Sequence, residues 1–409
     1  MQKFIPSFKK FFMHLFILFL GLLASIFLIE GYLQFAAVKA VGKNMSEIDP
    51  ELGWRHMPGD YKFKTEEFSG VYRINSKGFQ DLEFDPKQKH DLTIIALGDS
   101  HTFAIGVEQN DVWPNVLERQ LGTARPGGKI AVHNFGVIAY SLGQEYFLLM
   151  HEGLQYNPHL VILGFSMATD IFDILPPRRG GFIYIPDRGR KYFDLSAGGR
   201  LLQKTELVGK TIGRGKDGTL EGSLVEKIKF WMDVHSKFYK ILKRGPVGLY
   251  AASFIRLVWG IEMWPASSYV LSVNLSDNQK FAWRLAEKVL ANFRNSLSSR
   301  GVQFLVVVLP YYPQVYDTSY RRGFAFTDNY SQFAGNERLK EICRRNKIHC
   351  LDLTWAFRNQ FQKSGRGLHF PTDGHPNKRG HRLIGRKISE YLNNNPTLLR
   401  PPGRVNPEK

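Results

Sequence analysis

The stretch Asp91-Leu92-Thr93-Ile94-Ile95-Ala96-Leu97-Gly98-Asp99-Ser100-His101-Thr102 decides the fold of this chain. Residues 92–97 are apolar and rich in β-branched side chains, which predicts a short strand buried on both faces. Gly98 allows a sharp turn, and Ser100 follows it. Because the carboxyl ends of parallel strands line one crevice, Ser100 is a candidate nucleophile, although Gly-Asp-Ser is also a common turn tripeptide. A helix predicted at 112–121 should point its positive end toward the serine.

The same pattern recurs along the chain, where apolar strand candidates alternate with amphipathic helix candidates. The strand candidates are 92–97, 130–135, 160–165, 302–309 and 349–353. The helix candidates are 112–121, 143–153, 277–299, 337–346, 355–362 and 378–392. This alternation predicts an α/β fold with a parallel sheet and crossover helices, in a main domain spanning 91–395.

The amino-terminal region contains an apolar block of membrane-spanning length at 11–29, preceded by Lys3, Lys9 and Lys10. Because basic residues tend to stay on the cytoplasmic side, everything after the block should be exported. We predict that 1–40 is a cytoplasmic end followed by an uncleaved transmembrane signal anchor. A cleaved signal peptide is the alternative interpretation.

Three further segments flank or interrupt the main domain. Residues 41–90 alternate apolar and polar side chains in short runs, which predicts a small β-rich appendage that packs on the main sheet. An insert at about 174–276 breaks the strand and helix alternation and is rich in basic residues. It is either a lid that meets an anionic substrate or membrane surface, or a solvated insert without a ligand. Residues 396–409 should form a flexible tail.

The composition restricts the partners. Lys and Arg outnumber Asp and Glu by 55 to 37, which gives a formal net charge of +18 and favours an anionic glycan or lipid surface as partner. The sequence carries no zinc-ligand spacing, basic heptad region or aromatic RNA-binding motif, so no nucleic acid is expected. The two cysteines, Cys343 and Cys350, exclude a disulfide scaffold, and whether they pair is left open.

A second reactive motif, Asp373-Gly374-His375-Pro376-Asn377, precedes the last helix. Gly374 and Pro376 favour a turn in which the Asp373 carboxylate accepts the Nδ1 proton of His375, leaving Nε2 free to take a serine proton. Alone, this motif is typical of an ordinary loop. If Ser100 and His375 lie at the same edge of the sheet, we expect their side chains to approach to about 3 Å.

Acyl transfer also requires hydrogen-bond donors for a developing oxyanion. The Ser100 N–H at the start of a helix is one candidate. Gly136, at the end of the second predicted strand, is another, and a side-chain donor should come from the end of the third strand, near Thr169. His101 is expected to point away from the nucleophile. Asp170 and Asp173 are interpreted as loop-capping residues rather than a metal pair, so no metal is expected.

Several of these motifs occur in the order of the sequence blocks of one superfamily. They are Gly98-Asp99-Ser100, Gly136, the segment from Leu163 to Asp170, and Asp373-Gly374-His375-Pro376-Asn377. Across about Asp91 to Leu392 the chain resembles the SGNH (GDSL) hydrolases. The flanking motifs resemble the membrane-anchored bacterial members; they are Glu51-Leu52-Gly53-Trp54-Arg55, Ile74-Asn75-Ser76-Lys77-Gly78-Phe79 and Val132-His133-Asn134-Phe135-Gly136-Val137.

The resemblance implies a flavodoxin-like α/β/α sandwich that hydrolyses or transfers acyl esters without metal or nucleotide cofactors. It implies Ser100 as nucleophile, His375 as base, Asp373 as the residue that orients it, and Gly136 as an oxyanion donor. The sequence departs from the family pattern at Thr169, where the family has an oxyanion asparagine, and in the Asp-x-His spacing of the acid and base. A lost oxyanion donor typically costs about 10²–10³ in turnover, so a slowed enzyme is expected.

The expected function is therefore that of an SGNH-type serine esterase or acyltransferase acting on an O-acylated cell-envelope or exported polysaccharide, with acetyl as the expected acyl group. It would be a single-pass protein of a bacterial inner membrane with a periplasmic or extracellular catalytic domain and envelope polysaccharide assembly proteins as partners. The alternative is an SGNH-fold protein with little or no activity that binds anionic glycan, which the replacement of asparagine by Thr169 favours.

Overall fold

The computed structural model describes residues 45–176, 190–206, 265–317 and 329–400, together with parts of 13–28. The chain divides into two compact units. One consists of 45–212 and 264–409, and the other of 1–44 and 213–263, in which the described residues lie between Met13 and Leu28 and are helical. Among the described residues, no helix is both long and apolar enough to cross a membrane. The predicted anchor at 11–29 lies in part outside the described residues and stays a prediction.

The first of these units contains all the strands that the structure describes. They are β1 (Ser46–Asp49), β2 (Gly53–His56), β3 (Gly59–Lys64), β4 (Ser69–Ile74), β5 (Leu92–Gly98), β6 (Ile130–Gly136), β7 (Leu160–Ser166), β8 (Arg190–Leu195), β9 (Leu201–Glu206), β10 (Gln303–Leu309) and β11 (His349–Asp352). The helices are α1 (Ser100–Phe103), α2 (Trp113–Ala124), α3 (Leu142–His151), α4 (Asp170–Asp173), α5 (Pro265–Leu271), α6 (Asp277–Ser298), α7 (Tyr312–Val315), α8 (Ala334–Arg345), α9 (Thr354–Ser364) and α10 (Lys378–Asn394).

The central sheet consists of five parallel strands in the order β6-β5-β7-β10-β11. Numbered along the chain, this is the order 2-1-3-4-5 of the flavodoxin-like doubly wound fold. Each of these strands matches a predicted one to within one residue at either end. In such folds the ligand crevice lies at the carboxyl ends of the strands, where the order reverses next to the first strand. The reversal here falls at β5, which ends two residues before Ser100.

Helices cover both faces of this sheet. Side chains alternate along β5, so that Ile95 and Leu97 belong to one apolar core and Ile94 and Ala96 to another. The first core also contains residues of α3, α6 and α8, and the second contains residues of α2, α9 and α10. The predicted α/β/α arrangement of layers around a parallel sheet is therefore observed.

Two antiparallel hairpins, β1–β2 and β3–β4, precede the sheet within the predicted β-rich appendage. Tyr61 of β3 and Tyr72 and Ile74 of β4 form a buried cluster with Phe103 of α1. The Trp54 indole donates a hydrogen bond to the Ile138 carbonyl at 3.0 Å. The hairpins therefore pack against the segments that follow the carboxyl ends of β5 and β6, next to Ser100.

The remaining segments fall only partly within the described residues. In the predicted insert, β8 and β9 form an antiparallel pair, while 177–189 and 207–264 lie outside the described residues. The lid interpretation therefore stays a prediction. The predicted flexible tail begins with a helical turn, Pro396–Leu399, whose Leu398 is fully buried. Its first residues thus belong to the core, because Leu398 packs in the cluster that contains α10.

The two cysteines are free, with Cys343 buried near the end of α8 and Cys350 half-buried in β11. A hydrogen bond with Cys350, together with burial, raises the pKa of the Cys343 thiol. The thiols therefore lie in contact without a bond between them.

Candidate active site

Ser100 is the first residue of α1, directly beyond the turn that ends β5. Gly98 makes this turn with a φ of +154°, and a side chain there would collide with Thr102. The Asp99 side chain caps α1 by accepting the His101 N–H at 2.8 Å. Ser100 therefore occupies the position predicted from the sequence, although it begins its own short helix. The Trp113 N–H at the start of α2 donates to His381 Nδ1 at 3.3 Å. The expectation that the positive end of α2 points toward the serine stays a prediction.

The Ser100 Oγ lies 2.8 Å from His375 Nε2, although 275 positions separate the two residues. Ser100 is largely buried, with 8% of its surface exposed. The predicted approach of about 3 Å is observed. In this geometry the imidazole can take the serine proton as the oxygen attacks.

The other imidazole nitrogen is held by Asp373. Its Oδ1 lies 2.6 Å from His375 Nδ1 and also accepts the His375 backbone N–H at 3.2 Å. Burial alone would raise the pKa of the Asp373 carboxyl, but the hydrogen bonds and charge of His375 lower it overall. An ionised carboxylate on Nδ1 fixes the tautomer that leaves Nε2 free to accept a proton. The Asp-x-His spacing is accommodated by a turn at Gly374, where φ is +87°.

The loop that carries Asp373 and His375 is anchored by the β3–β4 hairpin. The Glu67 carboxylate accepts the backbone N–H groups of Thr372 and Asp373, each at 2.8 Å. Beside it, the Phe68 ring packs on the Phe370 ring with centroids 4.6 Å apart. Sequence reasoning assigned this hairpin to packing alone. No local pattern indicates a contact between segments about three hundred residues apart.

Two backbone N–H groups, in the segments that follow β5 and β6, are candidate donors to an oxyanion. Within the described residues, neither the Ser100 N–H nor the Ala139 N–H has an acceptor. Ala139 occupies the third position of a turn closed by a bond from the Tyr140 N–H to the Val137 carbonyl, and its φ is +62°. The Val137 N–H bonds to the Gly98 carbonyl at 3.0 Å, which ties this turn to the end of β5. Sequence reasoning missed Ala139, since alanine gives no signal for a positive φ.

The predicted donor role of Gly136 is not supported by the structure. Its N–H donates to the Asn134 side-chain oxygen at 3.0 Å and is therefore already used. A Cβ at this position would collide with the backbone of Thr102 and Phe103. Gly136 instead allows α1 to approach β6 closely, which helps to place Ser100.

The predicted donor role of Thr169 is not supported either. Its hydroxyl lies 2.8 Å from Asp99 Oδ2 and 2.8 Å from Ser166 Oγ. Burial would raise the pKa of the Asp99 carboxyl, but His101 and several hydrogen bonds lower it overall. An ionised carboxylate only accepts, so the Thr169 proton belongs to the bond with Asp99. Thr169 thus stabilises the residue that caps α1.

His101 belongs to the same buried network. Its Nδ1 lies 3.2 Å from Asp99 Oδ1 and 3.2 Å from Ser166 Oγ, and its ring centroid lies 4.6 Å from that of His375. As expected from the sequence, it does not contact the nucleophile; it supports the cap of α1 and lies beside the imidazole of His375.

Two fully buried carboxyls lie next to this network. Asp170 accepts the Ser166 N–H at 2.8 Å, the capping role predicted for it. Its Oδ1 and both oxygens of Glu145 have no partner among the described residues. Burial, with the negative charge of nearby carboxylates including Asp99, raises the pKa of both groups well above the usual range. The described part of the chain contains no group of three His, Cys, Asp or Glu residues that could hold a metal.

No protein-family model matches this chain, and no curated protein matches it. Among solved structures, the chain is similar to a two-domain esterase active on acetylated mannans, with 12% identity over 75% of this chain and 50% of that one and a TM-score of 0.37. The chain thus spans half the length of that protein. An acetyl xylan esterase matches with 13% identity over 74% of this chain and 100% of that one, with a TM-score of 0.36. A catalytic mutant of an acetylxylan esterase from Geobacillus stearothermophilus matches with 10% identity over 75% of this chain and 96% of that one, with a TM-score of 0.37.

Proposed function

We propose that this protein is an SGNH-type serine esterase that cleaves or transfers O-acyl groups. The observation that carries the proposal is the line of contacts from Ser100 Oγ to His375 Nε2 and from His375 Nδ1 to Asp373, at 2.8 and 2.6 Å. This is the arrangement that activates a serine hydroxyl for attack on a carbonyl. Sequence motifs and geometry point to the same three residues.

The reaction proceeds in two halves. Ser100 Oγ bonds to the acyl carbon while its proton passes to His375 Nε2, and the N–H groups of Ser100 and Ala139 bind the oxyanion. The bond from the acyl carbon to the alcohol oxygen then breaks, and the alcohol leaves with the proton from His375. Water, or a second hydroxyl in the case of transfer, attacks the acyl-enzyme in the same way and releases Ser100.

We further propose an O-acylated polysaccharide of the cell envelope, or one destined for export, as substrate, with acetyl as the acyl group. The resemblance to membrane-anchored bacterial members of the superfamily and the excess of 55 basic over 37 acidic residues support an anionic, surface-bound glycan. The corresponding location is a bacterial inner membrane, with a single amino-terminal anchor and the catalytic domain outside the cytoplasm. Partners would then be proteins of envelope polysaccharide assembly.

Labelling with a fluorophosphonate tests the chemistry, because the probe bonds only to an activated serine. The full chain, purified in detergent, should be labelled, and Ser100→Ala should abolish the labelling. Ser299→Ala, which removes an exposed serine after α6, is the matched control and should be labelled like the wild type. Release of acetate from O-acetylated envelope glycans by the wild type but not by Ser100→Ala would identify the substrate class.

The second candidate function is an inactive protein that keeps the fold and binds anionic glycan. The observation that favours it is Thr169, whose hydroxyl is engaged by Asp99 where the family has an asparagine donor. A folded wild-type chain that is not labelled, yet is retained on an immobilised acidic polysaccharide, would support binding and contradict the enzyme.

A further inference from the structure

A cavity of about 430 Å³ lies between α2, α9 and α10, apart from the Ser100 site. Five arginines line it: Arg119, Arg366, Arg379, Arg382 and Arg386. The other lining residues are apolar or uncharged, and none is acidic. Ser100, His375 and Asp373 do not line this cavity. The catalytic arrangement therefore does not explain why five arginines lie together here.

Two features of the helices bring these side chains together. Arg379, Arg382 and Arg386 are spaced by three and four residues, which places them on one face of α10. Helix α2 supplies Arg119 and packs closely on α10, where a side chain at Gly385 would press against Val116 and the Trp113 carbonyl. The basic face of α10 therefore lies beside the basic residue of α2, and the five arginines, all of them exposed, surround a pocket that is open to solvent.

The positive charge in this cavity is largely uncompensated. Arg382 pairs with Asp111 at 2.8 Å, but the same carboxylate also binds Lys378 at 2.7 Å. Arg119 and Arg379 donate to the carbonyls of Asn110 and Gly367, which orient the guanidinium groups without neutralising them.

The side chains of Arg366 and Arg386 have no acceptor among the described residues. Like charges that line one pocket repel one another, and a bound anion would relieve that repulsion.

We propose that this arginine pocket binds a phosphate group. Guanidinium groups donate in a planar fork that matches the oxygens of phosphate, often through two parallel hydrogen bonds. A single carboxylate would neutralise one guanidinium, whereas a phosphate carries up to two negative charges and three or more acceptor oxygens. The phosphate belongs either to a soluble molecule or to a phospholipid head group. This inference does not depend on esterase activity, because the pocket and the Ser100 site use different residues.

Calorimetric titration of the full chain in a phosphate-free, non-ionic detergent tests the proposal. Inorganic pyrophosphate is the soluble probe, and dihexanoyl phosphatidic acid, added as a monomer, is the lipid probe. We expect saturable binding of at least one probe at a single site. The double variant Arg366→Gln, Arg386→Gln should weaken this binding at least tenfold, because it removes both unpaired guanidinium groups.

The matched control is the double variant Arg294→Gln, Arg300→Gln, which removes the same net charge from a half-buried position on α6 and an exposed position after it, neither of which lines the pocket. It should bind both probes like the wild type. Pyrophosphate binding that depends on the pocket assigns a soluble ligand, and lipid binding alone that depends on the pocket assigns a head group. Failure of the wild type to bind either probe, or equal losses in the two double variants, would overturn the proposal. Melting temperatures of all variants, measured without probe, show whether each is folded.

Discussion

Glu67 Oε2 lies 2.8 Å from the backbone nitrogen of Asp373, so the tip of the β3–β4 hairpin holds the loop that carries both the base and its carboxylate partner. The other Glu67 oxygen accepts the Thr372 N–H. Since Asp373 and His375 are within two residues of each other, fixing the backbone at 372–373 fixes the position of the imidazole. The hairpin outside the main sheet thus contributes to the geometry of the active site.

Replacing Glu67 by alanine should lower kcat for p-nitrophenyl acetate by about tenfold or more while leaving KM nearly unchanged. A displacement of about 1 Å in a catalytic group can cost about 10²-fold, and the variant frees the loop without touching substrate. Glu67→Gln should be intermediate, because its amide has one oxygen for two N–H donors. The pH profile of kcat should also shift, as the bond between Asp373 and His375 loosens.

The control for this experiment is Glu66→Ala, which removes the neighbouring exposed carboxylate and should behave like the wild type. Melting temperatures distinguish a displaced loop from general destabilisation. Wild-type kcat together with a wild-type pH profile for folded Glu67→Ala would contradict the anchoring role.

Thr169→Val should destabilise the protein by about 1–3 kcal/mol, because it leaves the buried Asp99 carboxylate without one of its donors. Thr169→Ser keeps the hydroxyl and is the control, with a smaller loss. Urea unfolding measures both.

Since the hydroxyl of Thr169 points to Asp99, Thr169→Asn should not raise turnover of p-nitrophenyl acetate. A rise in turnover for folded Thr169→Asn would show that an amide at this position reaches the oxyanion after all.

The inner strands β5, β7 and β10 were predictable because they are buried on both faces. Each therefore appears in the sequence as an almost continuous apolar run with a polar boundary, as at 92–97 and 302–309. The nucleophile and base were predictable for a related reason. Ser100 follows the end of a strand, and the Asp373-x-His375 motif precedes the last helix, so both should meet at the carboxyl edge of the sheet.

The remaining features of the site depend on information that no local pattern carries. The contact of Glu67 with the catalytic loop joins distant segments. The positive φ of Ala139 is imposed by the turn from Val137 to Tyr140, and an alanine in the sequence does not indicate it. Gly136 was interpreted as an oxyanion donor, but its N–H donates to the Asn134 side chain. What the structure requires at this position is the absence of a Cβ, because α1 packs directly against the Gly136 backbone. Glycine in a sequence does not show whether its N–H or its lack of a side chain matters.

Gly136→Ala should greatly destabilise the protein, because its Cβ would collide with the backbone of α1, which cannot yield as a flexible side chain does. Gly122→Ala is the matched control within α2, where no atom lies within 4 Å of the added carbon. The control should gain roughly 0.5–1 kcal/mol, since alanine favours helix interiors. Melting temperatures of the two variants should therefore shift in opposite directions. Wild-type stability with strongly reduced turnover in Gly136→Ala would instead restore a catalytic role for this position.

His133 should make the protein less stable as the pH falls from about 6.5 to 4. Burial, and secondarily the charge of His90, lowers the pKa of His133 to about 4. Between these values the unfolded chain binds a proton that the folded protein does not, so the free energy of unfolding decreases as the pH decreases. His133→Phe keeps an aromatic ring against Phe84 and Tyr156 and removes this proton.

The difference in unfolding free energy between pH 7 and pH 5 should therefore shrink by up to about 2 kcal/mol in His133→Phe. The buried histidines His56, His369 and His381, whose pKa values are also lowered, should account for part of the remaining dependence. His349→Phe, at an exposed position of β11, is the control and should retain the wild-type dependence. Urea unfolding at the two pH values measures all three proteins. An unchanged difference in His133→Phe would mean that this imidazole is protonated equally in the folded and unfolded states.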